Sequence, residues 1–526
     1  MTFAHGARAQ EASAKIKGAL EGRASVSFYG EPIRRFSLAQ RFYRERAYAP
    51  GWDYRASDAL AKAIKEAKND GLTPGDYHLN ALEKAREAND QPAVELLSSD
   101  AFFLLASHLA NGRTDVKALV DTWNLPKESP DYLAALHDAL RSGKIERALR
   151  AFAPTAAEYG AFRKEYARYR AMASGSFPKK VAPGEILRAG MRAPRVAELR
   201  ARMIAFGLTS KKANAPAKNV PPLDFAKEIE TEETFDDDLI GAVKKFQRSA
   251  NLIDDGVVGK SALLAINVSP AEREKTLRVN MERLRWLPKD LGKRYVMVNV
   301  PGFFLQAAAN GKVEEFHEVV VGQNQRPTPI FSAKMQYMIF NPWWMAPDKL
   351  AKEDKLPFFR EHPEKAEELG FVVTDRSGKN VPLSSIDWNT VDADNFPYRL
   401  AQKPGDLNAL GKVKFIFPNP YNVYLHDTPA RDLFVRKQRA FSSGCVRVKD
   451  PLDLAEWILK DGGRTRKQID EAVESGKEKQ VNLVTPLPVH MQYITNMLND
   501  DGEVVFLNDF YGRDGQTAAA LDDKAP

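Results

Sequence analysis

A cysteine and a histidine that lie close in the sequence could together carry out nucleophilic chemistry. Cys445 is the only cysteine among 526 residues, and His426 precedes it by 19 positions. A free thiol has a pKa of about 8.5, so only a small fraction is thiolate at neutral pH, and a neighbouring imidazole can accept its proton. Such a pair would attack a carbonyl carbon. The alternative interpretation is a small buried cysteine and a structural histidine.

The residues around this pair predict how it is held. Residues 421–426, YNVYLH, alternate in character and favour a strand that ends at the histidine. Residues 442–444, Ser-Ser-Gly, favour a tight turn immediately before the cysteine, because glycine permits a bend that exposes backbone amides. Residues 446–448 are either extended or the start of a helix. We therefore expect the thiol on a turn and the base at a strand end.

The turn also offers groups that could bind a substrate. Backbone amides of Ser443, Gly444 and Cys445 could donate hydrogen bonds to a tetrahedral oxyanion, and each such donor is worth about 3 kcal/mol. Arg447 could bind a substrate carboxylate through two parallel hydrogen bonds. Together these groups would suit attack of the thiol on a substrate carbonyl through a tetrahedral intermediate.

The motif resembles the signature of the L,D-transpeptidase family. That signature is a histidine, a gap of about this size, and then [S/T]-x-G-C-[V/L]-[R/N]; here it reads His426 and then SSGCVR at residues 442–447. Residues 424–429 and 442–448 are similar to the YcbB-type branch, which comprises large periplasmic enzymes. Many family members have a second histidine directly before Gly-Cys, where this chain has Ser443, as the YcbB-type pattern also has.

The resemblance implies a role for each residue of the site. The thiol is the nucleophile, the imidazole is the base, the turn amides form the oxyanion site with a tyrosine hydroxyl, and an arginine contacts the substrate. The nucleophile is then Cys445 and the base His426. Ser443, Gly444 and Tyr424 form the oxyanion site, and Arg447 contacts the substrate.

The length of the chain allows about three domains, and the resemblance implies a multidomain α+β fold. We expect a helical N-terminal scaffold, a small three-helix domain that resembles peptidoglycan-binding domains, and a β-rich catalytic domain with an inserted capping subdomain. The expected bounds are 21–175, 185–268 and 290–515, with the cap at about 342–412 and flexible segments at 1–20 and 516–526.

The two helical regions carry their own resemblances. The first is similar to the scaffold domain of YcbB-type enzymes through residues 71–74, GLTP, and 111–113, NGR. The second resembles the peptidoglycan-binding domain 1 family through residues 243–247, VKKFQ, and 255–259, DGVVG. It could bind the wall or only support the catalytic domain. The polar, Pro-rich segment 211–233 within it is expected to be a mobile loop.

The catalytic region alternates in the way that strands do. Four segments predict strands, and Asn310-Gly311 favours a hairpin turn between two of them. The resemblance implies a mostly antiparallel sheet curled around the cysteine. Helices are expected at 452–459 and 466–474, a strand at 482–487, and a closing pair at 490–498 and 502–507. The four predicted strands are 294–300, 303–309, 315–321 and 335–340.

The insertion between residues 341 and 421 is rich in aromatic residues and turns. It resembles the capping subdomain of YcbB-type enzymes. Trp343 and Trp344 could line the substrate groove, since aromatic walls exclude water, or they could pack the cap against its domain. Asn419, near the start of the strand that leads to the histidine, is a further candidate for substrate binding.

Composition limits which binding partners and which cellular location we expect for the protein. The net charge of +7 fits either a solubility margin or a mild attraction to an anionic wall polymer, and no basic stripe with interleaved aromatics indicates nucleic acid. The sequence contains no run of 18 or more apolar residues, so it predicts no transmembrane helix. The A-x-A pattern at residues 7–9 predicts a cleaved export signal and hence the periplasm, although an Ala-rich stretch can arise by chance.

These features together predict an exported L,D-transpeptidase acting on peptidoglycan. The resemblance implies ping-pong transfer: the thiol attacks the diaminopimelate carbonyl of a tetrapeptide donor stem, D-Ala leaves, and an amine of a second stem forms a 3→3 cross-link. It implies no metal and no cofactor, possible glycan contact, and acylation of Cys445 by carbapenems.

Three alternatives stay open at this point. If water outcompetes the acceptor amine, the same site is an L,D-carboxypeptidase or endopeptidase. If the acceptor is a protein amine, the enzyme is an anchoring transpeptidase. In a different class, the chain is a wall-binding protein with a silent catalytic fold. The oligomeric state is left open.

Overall fold

The structure, a computed structural model, describes residues 2–125, 127–209 and 233–523. The chain forms two compact units. A helical unit contains residues 1–119, 126–289 and 494–526, and a β-rich unit contains residues 120–125 and 290–493. The segment 211–233, predicted to be a mobile loop, lies almost entirely outside the described residues.

One apolar helix, Gln91–Asn111, forms the core of the helical unit. It is long and apolar enough to cross a membrane by length and composition, but 94% of its apolar window is buried inside the unit. Asp90 caps its first turn by accepting a hydrogen bond from the Ala93 amide. The other longer helices are Thr2–Leu20, Phe36–Glu45, Tyr54–Glu66, Leu79–Glu87, Tyr132–Ser142, Ile145–Arg150, Ala157–Ala173, Pro194–Ala205, Asp237–Ser249, Lys260–Asn267, Pro270–Trp286 and Arg513–Asp522.

Short elements complete this unit. Two small antiparallel pairs join Ser27–Phe28 to Glu31–Pro32 and Asn496–Leu498 to Val504–Phe506. The remaining short helices are Ala67–Asp70, Pro74–Tyr77 and Val116–Leu119. In the region predicted to resemble a peptidoglycan-binding domain, the described residues form three helices, and a bridge joins Leu187 to Val258. Its wall-binding role stays a prediction.

Both ends of the chain differ from the flexible segments predicted for them. Residues 513–522 form a helix because Ala518 and Leu521 are buried against Val279, a contact that local sequence does not reveal. Thr2–Leu20 is also a helix, and the burial of Ile16 and Leu20 anchors its later half. Tertiary packing thus orders two segments whose composition favoured flexibility.

The β-rich unit is built around a nine-stranded sheet. In chain order its strands are β1 Arg294–Asn299, β2 Phe304–Ala309, β3 Lys312–Gly322, β4 Ser332–Phe340, β5 Val413–Ile416, β6 Leu425–His426, β7 Ala440–Ser442, β8 Val446–Val448 and β9 Lys479–Gln492. They are arranged in the order β7-β3-β8-β6-β5-β4-β9-β1-β2, and β2 also pairs with β3. That last pairing closes eight strands into a barrel, with β7 as a branch on β3.

Most neighbours in the barrel are antiparallel, but three pairs are parallel: β6 with β8, β7 with β3, and β9 with β1. The predicted strand 482–487 and the start of the predicted closing pair both belong to β9, which runs from Lys479 to Gln492. A shift in register between Asn482 and Leu487 lets this strand continue past its two prolines.

The insertion between β4 and β5 has its own sheet and core. Its strands are Trp344–Met345, Phe371–Asp375, Asn380–Val381 and Tyr398–Gln402. Its helical turns are Asp348–Leu350, Ala351–Lys355, Leu356–Glu361, Lys365–Glu368 and Leu383–Ser385. A separate apolar cluster that includes Phe359 and Trp388 fills it. The remaining helices of the β-rich unit are Arg431–Val435, Pro451–Leu459, Lys460–Gly462 and Arg466–Glu474.

Candidate active site

The parallel pairing of β6 with β8 brings the predicted site together. Leu425 lies opposite Val446 in the register, and His426 lies opposite Arg447. Leu425 and Val446 are both fully buried on the core side of the sheet. Side chains alternate between the two faces along a strand. The neighbours of Leu425 and of Val446 therefore point to the face opposite the core. The side chains of Tyr424, His426, Cys445 and Arg447 therefore share one face, as required for a common site.

The turn before the cysteine is held from three directions. Ser442 donates a hydrogen bond from Oγ to the Cys445 carbonyl at 2.5 Å and accepts one from the Gly444 amide at 3.1 Å. Thr328 donates from Oγ1 to the Gly444 carbonyl at 2.9 Å. Gly444 has φ +114°, a conformation that favours glycine. The turn is as predicted, but the Gly444 amide is already engaged, so the Cys445 amide is the better oxyanion donor.

The sulfur of Cys445 lies in a partly buried position next to Tyr424. Sγ is 3.8 Å from the Asn422 carbonyl, and both the amide and the hydroxyl of Tyr424 interact with the sulfur. Burial raises the pKa of the Cys445 thiol to about 11, although the hydrogen bonds from Tyr424 and the charge of Arg447 act in the opposite direction. The resting thiol is therefore protonated at neutral pH.

His426 is buried, with 5% of its surface exposed. Its Nδ1 lies 2.5 Å from the Asp427 carbonyl, which makes Nδ1 the donor and leaves Nε2 with the basic lone pair. Burial and, after it, the charge of Arg447 lower the pKa of His426 to about 3. The imidazole is therefore neutral and able to accept a proton.

Asp427 holds the histidine's surroundings in place. Its carboxylate accepts hydrogen bonds from the amides of Lys412 and Thr428, both at 2.7 Å, and pairs with Arg431 at 2.5 Å. A Cβ on Gly411 would lie 2.3 Å from the Asp427 carboxylate, so a side chain at that position would displace it. No sequence pattern predicted a role for Asp427 in the site, although its position directly after the histidine is a signal.

Arg447 is the least satisfied polar group of the site. Within the described residues it forms no hydrogen bond or ion pair, and its Nε is buried without a partner. Burial lowers the pKa of Arg447, while the nearby Cys445 acts in the opposite direction. A half-buried guanidinium in this state is poised to bind an anion from outside the protein.

The other three predicted contact residues have different surroundings. Asn419 donates to the carbonyls of Phe417 and Val423 at 2.7 Å and accepts from two backbone amides of the same turn. Its amide is fully used, so it shapes the loop before β6. Trp344 is 7% exposed and belongs to the core of the insertion, where its indole also reaches Tyr424. Trp343 is half-buried.

An arginine that sequence reasoning missed connects the turn to the insertion. Arg326 donates to Ser443 Oγ at 2.9 Å and pairs with Asp354 at 2.8 Å and Glu353 at 2.7 Å. The two acidic residues lie in the helical turn Ala351–Lys355. The Ser443 side chain therefore serves this link. The sequence signal for this link was the glycine at position 322. A Cβ on Gly322 would lie 2.3 Å from the Arg326 carbonyl, so the loop that carries Arg326 requires glycine there.

Comparison with known families agrees with this geometry. Residues 293–481 match the family model of the L,D-transpeptidase catalytic domain, YkuD. This chain carries an L,D-transpeptidase catalytic domain. Residues 37–165 match the Scaffold domain, and the order of the two domains matches the YcbB-type architecture. The family prediction and the predicted multidomain α+β fold are both confirmed.

Individual relatives cover only part of the chain. A Haemophilus influenzae protein named "Putative L,D-transpeptidase" is 39% identical over 240 residues, which are 46% of this chain and 48% of the relative. The match therefore spans about half the length of that relative.

Two solved structures also align with the chain. An L,D-transpeptidase from Mycobacterium smegmatis is 15% identical over 38% of this chain and 58% of that chain, with a TM-score of 0.18. One from Xylanimonas cellulosilytica is 14% identical over 59% of this chain and 99% of that chain, with a TM-score of 0.18. TM-scores this low carry no argument about fold or function.

Proposed function

We propose that this protein is a periplasmic L,D-transpeptidase that joins peptidoglycan stem peptides through 3→3 cross-links. The observation that carries the proposal is the face shared by a thiol, a neutral imidazole and a guanidinium without a partner among the described residues, at Cys445, His426 and Arg447. These groups supply a nucleophile, its base and an anion site on one surface. The match to the catalytic domain supports the same reaction class.

Acylation is the first half of the reaction. The Cys445 sulfur attacks the carbonyl that joins the L-centre of diaminopimelate to the terminal D-Ala, while His426 Nε2 accepts the thiol proton. A thiol pKa of about 11 and an imidazole pKa of about 3 disfavour a standing ion pair, so proton transfer accompanies formation of the S–C bond. The Cys445 amide and the Tyr424 hydroxyl stabilise the oxyanion.

Collapse of this intermediate breaks the C–N bond. The protonated imidazole returns its proton to the departing nitrogen, D-Ala leaves, and a thioester remains on Cys445. The side-chain amine of a second stem then attacks the thioester, with His426 accepting a proton from that amine. The S–C bond breaks, and the thiol regains a proton from the imidazole. By the same attack, a carbapenem would acylate Cys445.

Product analysis tests this proposal. The full chain and its Cys445→Ala variant are incubated with a disaccharide-tetrapeptide, and the products are separated and weighed. We expect a cross-linked dimer that lacks one D-Ala with the unmodified chain and no product with the variant. Tripeptide alone would assign the site to a carboxypeptidase. No product from a folded unmodified chain would leave the wall-binding interpretation.

A further inference from the structure

A lysine extends the row of polar residues across the site. Lys414 on β5 lies opposite His426 on β6, and His426 lies opposite Arg447 on β8. The neighbours of Lys414 along its strand, Val413 and Phe415, are fully buried on the core side. Lys414 therefore points to the same face as His426. The base has a cation on each side, one strand away in either direction.

Lys414 has no committed partner. It is half-buried and forms no hydrogen bond or ion pair within the part of the chain that the structure describes. Burial lowers the pKa of Lys414, and the charge of Glu478 acts in the opposite direction from beyond contact distance. The Glu478 carboxylate itself accepts a hydrogen bond from the Trp343 amide at 3.0 Å. A basic side chain at the edge of the site is thus available to an incoming anion.

The insertion supplies a second lysine to the same region. The Lys355 ammonium lies over the rings of Trp344, Phe371 and Phe358, at 5.4, 5.6 and 5.9 Å from their centres. It is half-buried, and it feels the charge of Arg447. Aromatic faces stabilise an ammonium without neutralising it. Lys355 therefore adds a positive charge from the insertion near Arg447, although the charge of Asp354 acts on the pKa of Lys355 in the direction opposite to burial and to Arg447.

The spacing of these cations fits one feature of the donor stem. Adjacent strands lie about 4.8 Å apart, so the backbones at Arg447 and Lys414 are roughly 10 Å apart, with His426 between them. In a donor stem, about nine bonds separate the terminal D-Ala carboxylate from the side-chain carboxylate of diaminopimelate, a reach of roughly 11 Å. The scissile amide lies between those two carboxylates, as the base lies between the two cations.

We propose that Lys414 binds the side-chain carboxylate of diaminopimelate, while Arg447 and Lys355 bind the terminal carboxylate of the donor stem. The inference rests on the proposed function and adds specificity-determining residues to it. Lys414 makes the site selective for stems with diaminopimelate over stems with lysine, which have the same side-chain amine but no side-chain carboxylate. Like charges held near one another lower the protein's stability, and a substrate with two carboxylates would relieve their repulsion.

The test compares two donors and three variants in the full chain. Tetrapeptide stems with diaminopimelate or lysine at the third position are assayed with the unmodified chain and with Lys414→Gln, Lys414→Arg and Lys334→Gln. Lys334 is an exposed lysine on β4 and serves as the matched control. Loss of one charge-assisted hydrogen bond predicts a rise of about tenfold in KM for the diaminopimelate stem with Lys414→Gln.

The pattern across donors identifies the cause. We expect an unchanged kcat, no effect of Lys414→Gln on the lysine stem, recovery with Lys414→Arg, and unmodified behaviour from Lys334→Gln. An equal loss on both stems, or no loss on either, would overturn the role of Lys414 while leaving the transpeptidase proposal intact. Absence of acyl-enzyme and product with both stems in the unmodified chain would instead overturn the proposed function and this inference with it.

Discussion

Two arginines, one in each unit, have opposite surroundings. Arg285 in the helical unit is 1% exposed, and its guanidinium donates to the Glu282 carboxylate, the Asp70 carbonyl and the Tyr159 hydroxyl at 2.7 to 3.1 Å. Arg447 in the β-rich unit forms no hydrogen bond or ion pair within the described residues. The first charge is neutralised by the protein, whereas the second has no partner within the described residues.

This difference separates a structural charge from a functional one. A buried charge without a partner costs several kcal/mol, and only an outside ligand can recover that cost where the fold does not. Arg285 should therefore matter for stability, and Arg447 for activity.

Removing the partner of Arg285 should have the largest effect. Glu282→Gln leaves the buried guanidinium without its counter-charge and should lower the free energy of unfolding of the helical unit by about 3–5 kcal/mol. Urea unfolding followed by circular dichroism at 222 nm measures this. Glu274→Gln is the control, because Glu274 is half-buried on the same helix and forms no ion pair within the described residues. A loss below about 1 kcal/mol for Glu282→Gln would contradict the structural role.

Arg447→Gln should give the reverse pattern. Because the guanidinium has no partner within the described residues, its removal should leave the free energy of unfolding unchanged or raise it. Loss of a charge-assisted, two-bond contact with a substrate carboxylate should lower kcat/KM about a hundredfold, or about 2.7 kcal/mol. The assay is donor-stem acylation, with thermal unfolding in parallel. A variant that is destabilised and fully active would show that Arg447 serves stability and not activity.

The reactivity of the Cys445 thiol should depend on pH and on the charge of Arg447. The raised pKa of Cys445 means that the thiolate fraction is small below pH 11 and grows about tenfold per pH unit as protons are removed. The rate of alkylation by iodoacetamide should therefore rise from pH 7 to 10 without a plateau. In Arg447→Gln the rate at each pH should be lower, because the charge of Arg447 favours the thiolate. A plateau near or below pH 8.5 would show a standing ion pair instead.

Arg326 is an intermediate case, since it is paired but joins two segments. Its acidic partners are about half exposed, so Arg326→Gln should cost no more than about 1 kcal/mol of stability. Hydrogen exchange of residues 344–402 should become several-fold faster, because the insertion loses its link to the cysteine turn. Arg399→Gln, exposed on a strand of the insertion, is the control. Equal exchange in both variants would remove any role for the link.

Local patterns predicted the parts of the fold that local contacts determine. The helix expected at 466–474 is Arg466–Glu474, where Thr465 and Gln468 form a capping box. The strand at 294–300 and the turn before Cys445 also follow from short stretches of sequence. In these places propensity, capping and turn chemistry agree.

Contacts between distant segments could not be read in this way. The parallel register of β6 and β8 aligns His426 with Arg447, but no local pattern indicates which strands pair. The same holds for Lys414, whose place opposite His426 depends on a second pairing. The engagement of the Gly444 amide by Ser442 depends on the conformation of the turn. The residue types of the site could be predicted from the sequence. Which residues lie opposite or bind one another could be seen only in the folded structure.

Detection of the acyl-enzyme tests most directly whether Cys445 is the nucleophile. The full chain is mixed with disaccharide-tetrapeptide, quenched in acid within seconds, and analysed by intact-protein mass spectrometry followed by peptide mapping. We expect an adduct with the mass of the donor minus D-Ala, located on Cys445 and absent from Cys445→Ala. Formation of cross-linked or trimmed product without an adduct, or an adduct on another residue, would contradict this role of Cys445.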